Sequence, residues 1–124
     1  MKKLALTLFA FVISAAIFAQ AKKADELVKF GELKHNFGKI KQGTPVTHVF
    51  EFTNISGKPL VIENASASCG CTTPTWPQQP VAQGKGNKIT AGFNAAAPGP
   101  FDKTVFVKVA GADQPLELRI SGEV

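Results

Sequence analysis

The apolar positions of this chain follow two rhythms. From Leu4 to Ala19 they run almost unbroken, interrupted only by Thr7 and Ser14. From Phe30 onward they alternate with polar residues, the period of an extended strand with one dry face. Val46, Phe50 and Phe52 alternate with Thr47, Glu51 and Thr53. Ile89, Ala91 and Phe93 alternate with Thr90, Gly92 and Asn94, and Leu116, Leu118 and Ile120 with Glu117, Arg119 and Ser121. Val105, Val107 and Val109 do the same against Thr104, Phe106 and Lys108, and Leu60-Val61-Ile62-Glu63 opens a further strand. Between these runs lie turn formers: Gln42-Gly43, Ser56-Gly57-Lys58-Pro59, Gly84-Lys85-Gly86-Asn87, Pro98-Gly99-Pro100 and Gly111-Ala112-Asp113. Proline and glycine break every candidate helical stripe. Short alternating strands at this spacing, on roughly 100 residues, predict an all-β fold: an immunoglobulin-like antiparallel β-sandwich of about seven strands. The Cys…Trp…Cys spacing of antibody domains is absent, because Cys69 and Cys71 are one residue apart and Trp76 follows both.

The leading run has a different meaning. Met1-Lys2-Lys3, an apolar stretch and small residues at its end make a signal peptide over residues 1–21, with cleavage after Ala19 or Ala21. The run falls short of the ~20 residues that span a bilayer. No cysteine lies near the cleavage point to take a lipid, so no stable membrane anchor is expected. The mature chain, 22–124, reads as one domain exported to the periplasm or beyond, near the modal size for a domain. Without Lys2 and Lys3 the 14 basic residues fall to 12 against 9 acidic ones, a net charge of +3. The lysines are scattered and Arg119 is the only arginine, a poor inventory for reading phosphates or base edges. Nucleic acid is not an expected partner.

Chemistry concentrates in Ala67-Ser68-Cys69-Gly70-Cys71-Thr72-Thr73-Pro74, which holds both cysteines. In a straight strand, residues two apart sit ~6.6 Å from each other, whereas bonded cysteines need Cβ atoms about 3.8 Å apart. Gly70 offers a way out, since glycine can adopt the positive φ that folds such a segment back. Three readings stand open. Export to an oxidising compartment favours a local structural disulfide that shapes the loop. A ring this small removes little unfolded-state entropy and is strained, which favours a thiol–disulfide role. Two thiolates can also clamp a soft ion such as copper or zinc, although zinc normally takes four ligands.

His48 is in phase with Val46 and Phe50 and reads as a histidine at the core's edge with a satisfied hydrogen bond; His35 precedes Asn36-Phe37-Gly38, which reads as a strand entry or a turn. Neither is placed near the cysteines by sequence alone. No nucleophile elbow, phosphate loop or zinc-protease motif is present, and no acid–base pair stands out, so no catalytic residue is assigned and no cofactor is expected. Asp102 and Asp113 lie beside turns, where Asp is usually a turn former. Trp76, in a proline-rich loop, reads first as a lid over one end of the core and second as an interaction anchor. With tyrosine absent, it is the one platform a sugar could use. Asn54-Ile55-Ser56 and Asn64-Ala65-Ser66 have glycosylation spacing, which matters only in a eukaryotic secretory pathway.

Taken in order, His35-Asn36-Phe37-Gly38-Lys39-Ile40, Phe50-Glu51-Phe52-Thr53-Asn54, Pro59-Leu60-Val61-Ile62, Ser68-Cys69-Gly70-Cys71-Thr72, Trp76-Pro77, Pro98-Gly99-Pro100-Phe101 and Gly122-Glu123-Val124 resemble the bacterial domain of unknown function family 1573. The resemblance covers nearly the whole mature chain. It implies an exported domain of Bacteroidetes-type bacteria, related in fold to the Hydin and major sperm protein group, and it implies no biochemical activity. The expected role is therefore a non-enzymatic module, protein-binding or structural, with another exported or envelope protein as its partner; the alternative is a periplasmic thiol–disulfide or soft-metal protein acting through Cys69 and Cys71.

Overall fold

The computed structural model describes residues 22–124; the signal peptide expected over 1–21 lies outside the described residues. A single helical turn, α1 (Ala24–Leu27), precedes eight strands: β1 (Val28–Phe30), β2 (Lys34–Lys39), β3 (Val46–Asn54), β4 (Ile62–Ala67), β5 (Thr72–Thr75), β6 (Gly86–Phe93), β7 (Pro100–Val109) and β8 (Leu116–Glu123). One sheet has the order β1-β3-β6-β5 and the other β2-β8-β7-β4. This is the expected immunoglobulin-like sandwich. Among the described residues no helix is long and apolar enough to cross a membrane.

The period-two runs become strands for the reason their pattern implies. Phe50 and Phe52 of β3, Ile89, Ala91 and Phe93 of β6, Val105, Val107 and Val109 of β7, and Leu118 and Ile120 of β8 all point inward and are buried. Each Val, Leu, Ile or Phe among them contributes about 1.5–3 kcal/mol on leaving water. The shared core holds β3 and β6 in continuous register from Val46↔Phe93 to Thr53↔Gly86. Helix α1 escapes the periodicity because one turn buries only Ala24 and Leu27.

Two features depart from the layout the pattern predicts. The first extended segment is divided between the sheets. Gly31 N–H still donates to Glu51 C=O of β3 (3.1 Å), and two residues later Leu33 C=O accepts from Arg119 N–H of β8 (2.9 Å). The chain thus crosses from one sheet to the other over Gly31-Glu32-Leu33, and β2 pairs with β8 in parallel. The strand read from Leu60 begins at Ile62 instead. Leu60 forms only an isolated bridge with Val81, each N–H bonding the other's C=O at 2.9 and 2.8 Å.

Asp102, read as a turn former, lies within β7. Its carboxylate receives the Arg119 guanidinium of β8 through both oxygens, a fork that matches carboxylate geometry. Asn54, the first residue of a glycosylation triplet, is buried at the end of β3. Its Nδ2 donates to Lys58 C=O (2.7 Å) and Val81 C=O (2.9 Å). Its Oδ1 accepts from Ser56 N–H (2.9 Å) and Ser56 Oγ (2.6 Å). One side chain pins two loops to the end of a central strand.

Candidate functional site

Two constellations bear chemistry, and each lies where the chain changes sheets. The first is the corner between β4 and β5. Ser68 N–H donates to Thr104 C=O of β7 (3.0 Å), and Ser68 Oγ accepts from Thr104 N–H (3.3 Å), so the end of β4 is tied down on both sides. Asn94 N–H, just past β6, donates to Cys71 C=O (3.0 Å), which ties down the start of β5. Between these anchors Cys69 and Cys71 are joined in a disulfide, their Cα atoms 5.3 Å apart. The buried Thr72 hydroxyl lies 3.8 Å from each sulfur, and Thr72 N–H reaches back to Cys69 C=O at 3.4 Å to close a turn. Gly70 is exposed, is not among the glycines with positive φ, and has nothing within 4 Å of where a Cβ would stand. The fold-back therefore comes from the turn that the two sheets impose, and not from the backbone freedom of Gly70. Cys71 packs against the core, which makes the corner part of the sandwich wall.

The second constellation lies at the β1–β2 crossing. His35 of β2 and His48 of β3 belong to opposite sheets, yet their rings stack with centroids 3.5 Å apart and planes within 5°. Glu32, in the crossing itself, bonds His48 Nε2 through Oε1. That is the satisfied hydrogen bond expected of His48 at the core's edge. Phe37 stands edge-on to His35 (4.7 Å, 85°) and Phe50 edge-on to His48 (4.8 Å, 83°), so aromatic walls hold both rings. Burial chiefly, and the neighbouring His48 second, lower the His35 pKa; Glu32 pulls the other way without winning. His35 is thereby favoured as neutral imidazole.

The structure does not bring the histidines to the cysteines. It brings them to each other and to Glu32, a residue sequence reading did not single out. The Glu-x-x-His spacing of Glu32 and His35 was the only available signal, and it gains meaning only once the crossing is seen. Trp76, just after β5, is half-buried and packs against the core. An open groove of about 630 Å³ runs over β1, β3 and β6, lined by Lys29, Phe30, Glu51 and Lys88 among others; it includes neither constellation.

Solved structures share this fold at low identity. A protein of unknown function from Porphyromonas gingivalis is similar with a TM-score of 0.68 and 8% identity, covering 79% of this chain and 46% of that one. The VesB protease of Vibrio cholerae is similar with a TM-score of 0.61 and 16% identity, covering 82% of this chain and 33% of that one. The PapD-like domain of human CEP192 is similar with a TM-score of 0.59 and 12% identity, covering 79% of this chain and 84% of that one. The chain thus spans less than half the length of the first two, and at these identities the likeness is one of fold alone. No curated protein sequence matches it. Residues 28–124 do match the family model described as "Protein of unknown function (DUF1573)", and the chain belongs to that family.

Proposed function

We propose that this protein is an exported, non-enzymatic immunoglobulin-like module that binds another exported or envelope protein by adding a strand to its open β4 edge. The observation that carries the reading is the character of the four sheet edges. Strand β1 has only three residues, β5 contains Pro74 and lacks that N–H, and β2 is interrupted by a register shift between Asn36 and Lys39. Strand β4 has one neighbour, β7; its register shift falls at its beginning, between Ile62 and Asn64, and beyond it the pairing runs evenly from Asn64↔Lys108 to Ala67↔Val105. Exposed Val61 lies just before it and the disulfide-held corner just after it. An extended peptide laid along such an edge gains main-chain hydrogen bonds, with alternate side chains giving selectivity.

In this reading the Cys69–Cys71 bond is structural. Closing a three-residue ring restricts the unfolded chain by about 1.5 kcal/mol in the chain-entropy account, or roughly 7 °C in Tm for a domain of ~100 residues. The test places a photo-cross-linking residue at Asn64 or Ser66, and as controls at Lys29 of β1 and Glu117 of β8, in cells that export the protein. A discrete protein adduct at the β4 positions alone is expected, and it survives Cys69→Ser with Cys71→Ser. Adducts equal at all four positions, or none at β4, overturn edge binding. Loss of a redox or copper-handling phenotype in the double cysteine variant, at unchanged Tm, assigns the function to the thiols instead.

A further inference from the structure

We infer that Glu32, His35 and His48 form a binding site for a late first-row divalent cation, Zn2+ or Cu2+, separate from the cysteine corner. The inference stands apart from the edge-binding reading and rests on geometry. One ligand atom from each of the three residues lies within 4.8 Å of the other two. The three come from the sheet crossing, from β2 and from β3, so the folded sandwich, and not one local segment, assembles them.

Two imidazoles and one carboxylate are the donor set that zinc takes in open three-ligand sites, and imidazole equally suits copper. Zinc-to-ligand bonds of about 2.0–2.2 Å place tetrahedral donors roughly 3.4 Å apart, so the widest donor pair must close by about 1 Å while the bonded Glu32–His48 pair opens to admit the ion. The groups can make these shifts. Glu32 is 47% exposed in its side chain and can pass from His48 Nε2 to a cation, and a limited turn of each ring about χ2, between its aromatic neighbours, makes the nitrogens converge. His35 makes no side-chain hydrogen bond among the described residues, which leaves its ring nitrogens available. Phe37 and Phe50 supply the apolar shell that keeps ligands oriented and water competition low. Solvent reaches the site past Glu32, so water would complete the coordination. A bound cation would join β2 of one sheet to β3 of the other.

The test is calorimetric titration of the metal-free protein at pH 7.5 with ZnCl2, CuCl2 and, as a control, MgCl2, paired with thermal melts. One equivalent of Zn2+ or Cu2+ is expected, with a rise in Tm and no response to Mg2+. His35→Ala and His48→Ala should each weaken binding at least tenfold. His48→Gln, which keeps the side chain's polarity and much of its bulk, and exposed Glu32→Gln guard against unfolding and should also weaken it tenfold. Cys69→Ser with Cys71→Ser should change affinity less than twofold. Absence of binding by either ion, binding of more than one equivalent, retention within twofold in the His48→Gln and Glu32→Gln variants, or loss in the cysteine variant overturns the site.

Discussion

Asn54→Ala removes the most connected polar side chain in the sandwich. The residue is 1% exposed, and both amide hydrogens and both lone-pair directions of its oxygen are used. Not every partner is orphaned by its loss. Val81 C=O keeps Leu60 N–H, and Lys58 C=O can take the single Ser56 Oγ proton that Asn54 Oδ1 gives up. The cost is therefore that of four hydrogen bonds, at about 0.5–1.5 kcal/mol each, without a buried carbonyl left bare. The bond to Val81 is fully buried and belongs at the upper end, while the other three are partly wetted; the sum is about 3 kcal/mol. Unfolding a domain of ~100 residues releases about 0.2 kcal/mol per kelvin of entropy at Tm, so Tm should fall by roughly 14 °C. Far-UV circular dichroism melts read this directly. Asn54→Asp is the companion: it keeps the acceptor, loses both donors and sets a carboxylate against two carbonyls, so at pH 7 it should be worse than alanine and should recover as the pH falls. An alanine variant melting within 3 °C of the parent (about 0.6 kcal/mol) refutes the idea that these bonds hold the loops to β3.

Two further outcomes follow from close packing and from charge. Gly122→Ala places a Cβ 2.8 Å from the Gly38 carbonyl and 2.9 Å from the Phe101 ring, so it should lower the urea midpoint by an amount equivalent to about 1–3 kcal/mol; an unchanged midpoint would mean that β2 and β8 part easily at that point. His35, whose pKa is lowered from its ordinary 6.5 and which faces Glu32 and His48, binds its proton less tightly folded than unfolded. In metal-free protein, stability should be full above pH 6.5 and decline as the pH falls through 6.5 toward the lowered value. Melts across pH 5–7.5 should show that slope in the parent and lose it in His35→Gln.

Much of the fold is legible in the sequence because burial imposes a period. Phe50 and Phe52, or Leu118 and Ile120, can only alternate as they do if one face of their strands is dry. The split of β1 from β2 is not legible, since Phe30 to Lys39 carries no stronger break than Gly31, and which partner each half takes depends on strands that come later. The same limit hides the histidine cluster: His35 and His48 meet only because the crossing sends β2 to the far sheet. The cysteine pair is plain in the sequence, but the agent of its closure is not. Gly70 offered a local explanation, and the anchoring of Ser68 by Thr104 and of Cys71 by Asn94 supplied a non-local one.

The parallel pairing of β2 with β8 has a mechanical meaning. Lys34 stands beside Arg119 and Lys39 beside Glu123, so the strands enter at the same end and leave at the same end. Tension drawn toward the beginning of β2 and past the end of β8 pulls the two lengthwise in opposite directions. Their hydrogen bonds are then loaded side by side, in shear, and must yield together; an antiparallel pair pulled from its open end would give way one bond at a time.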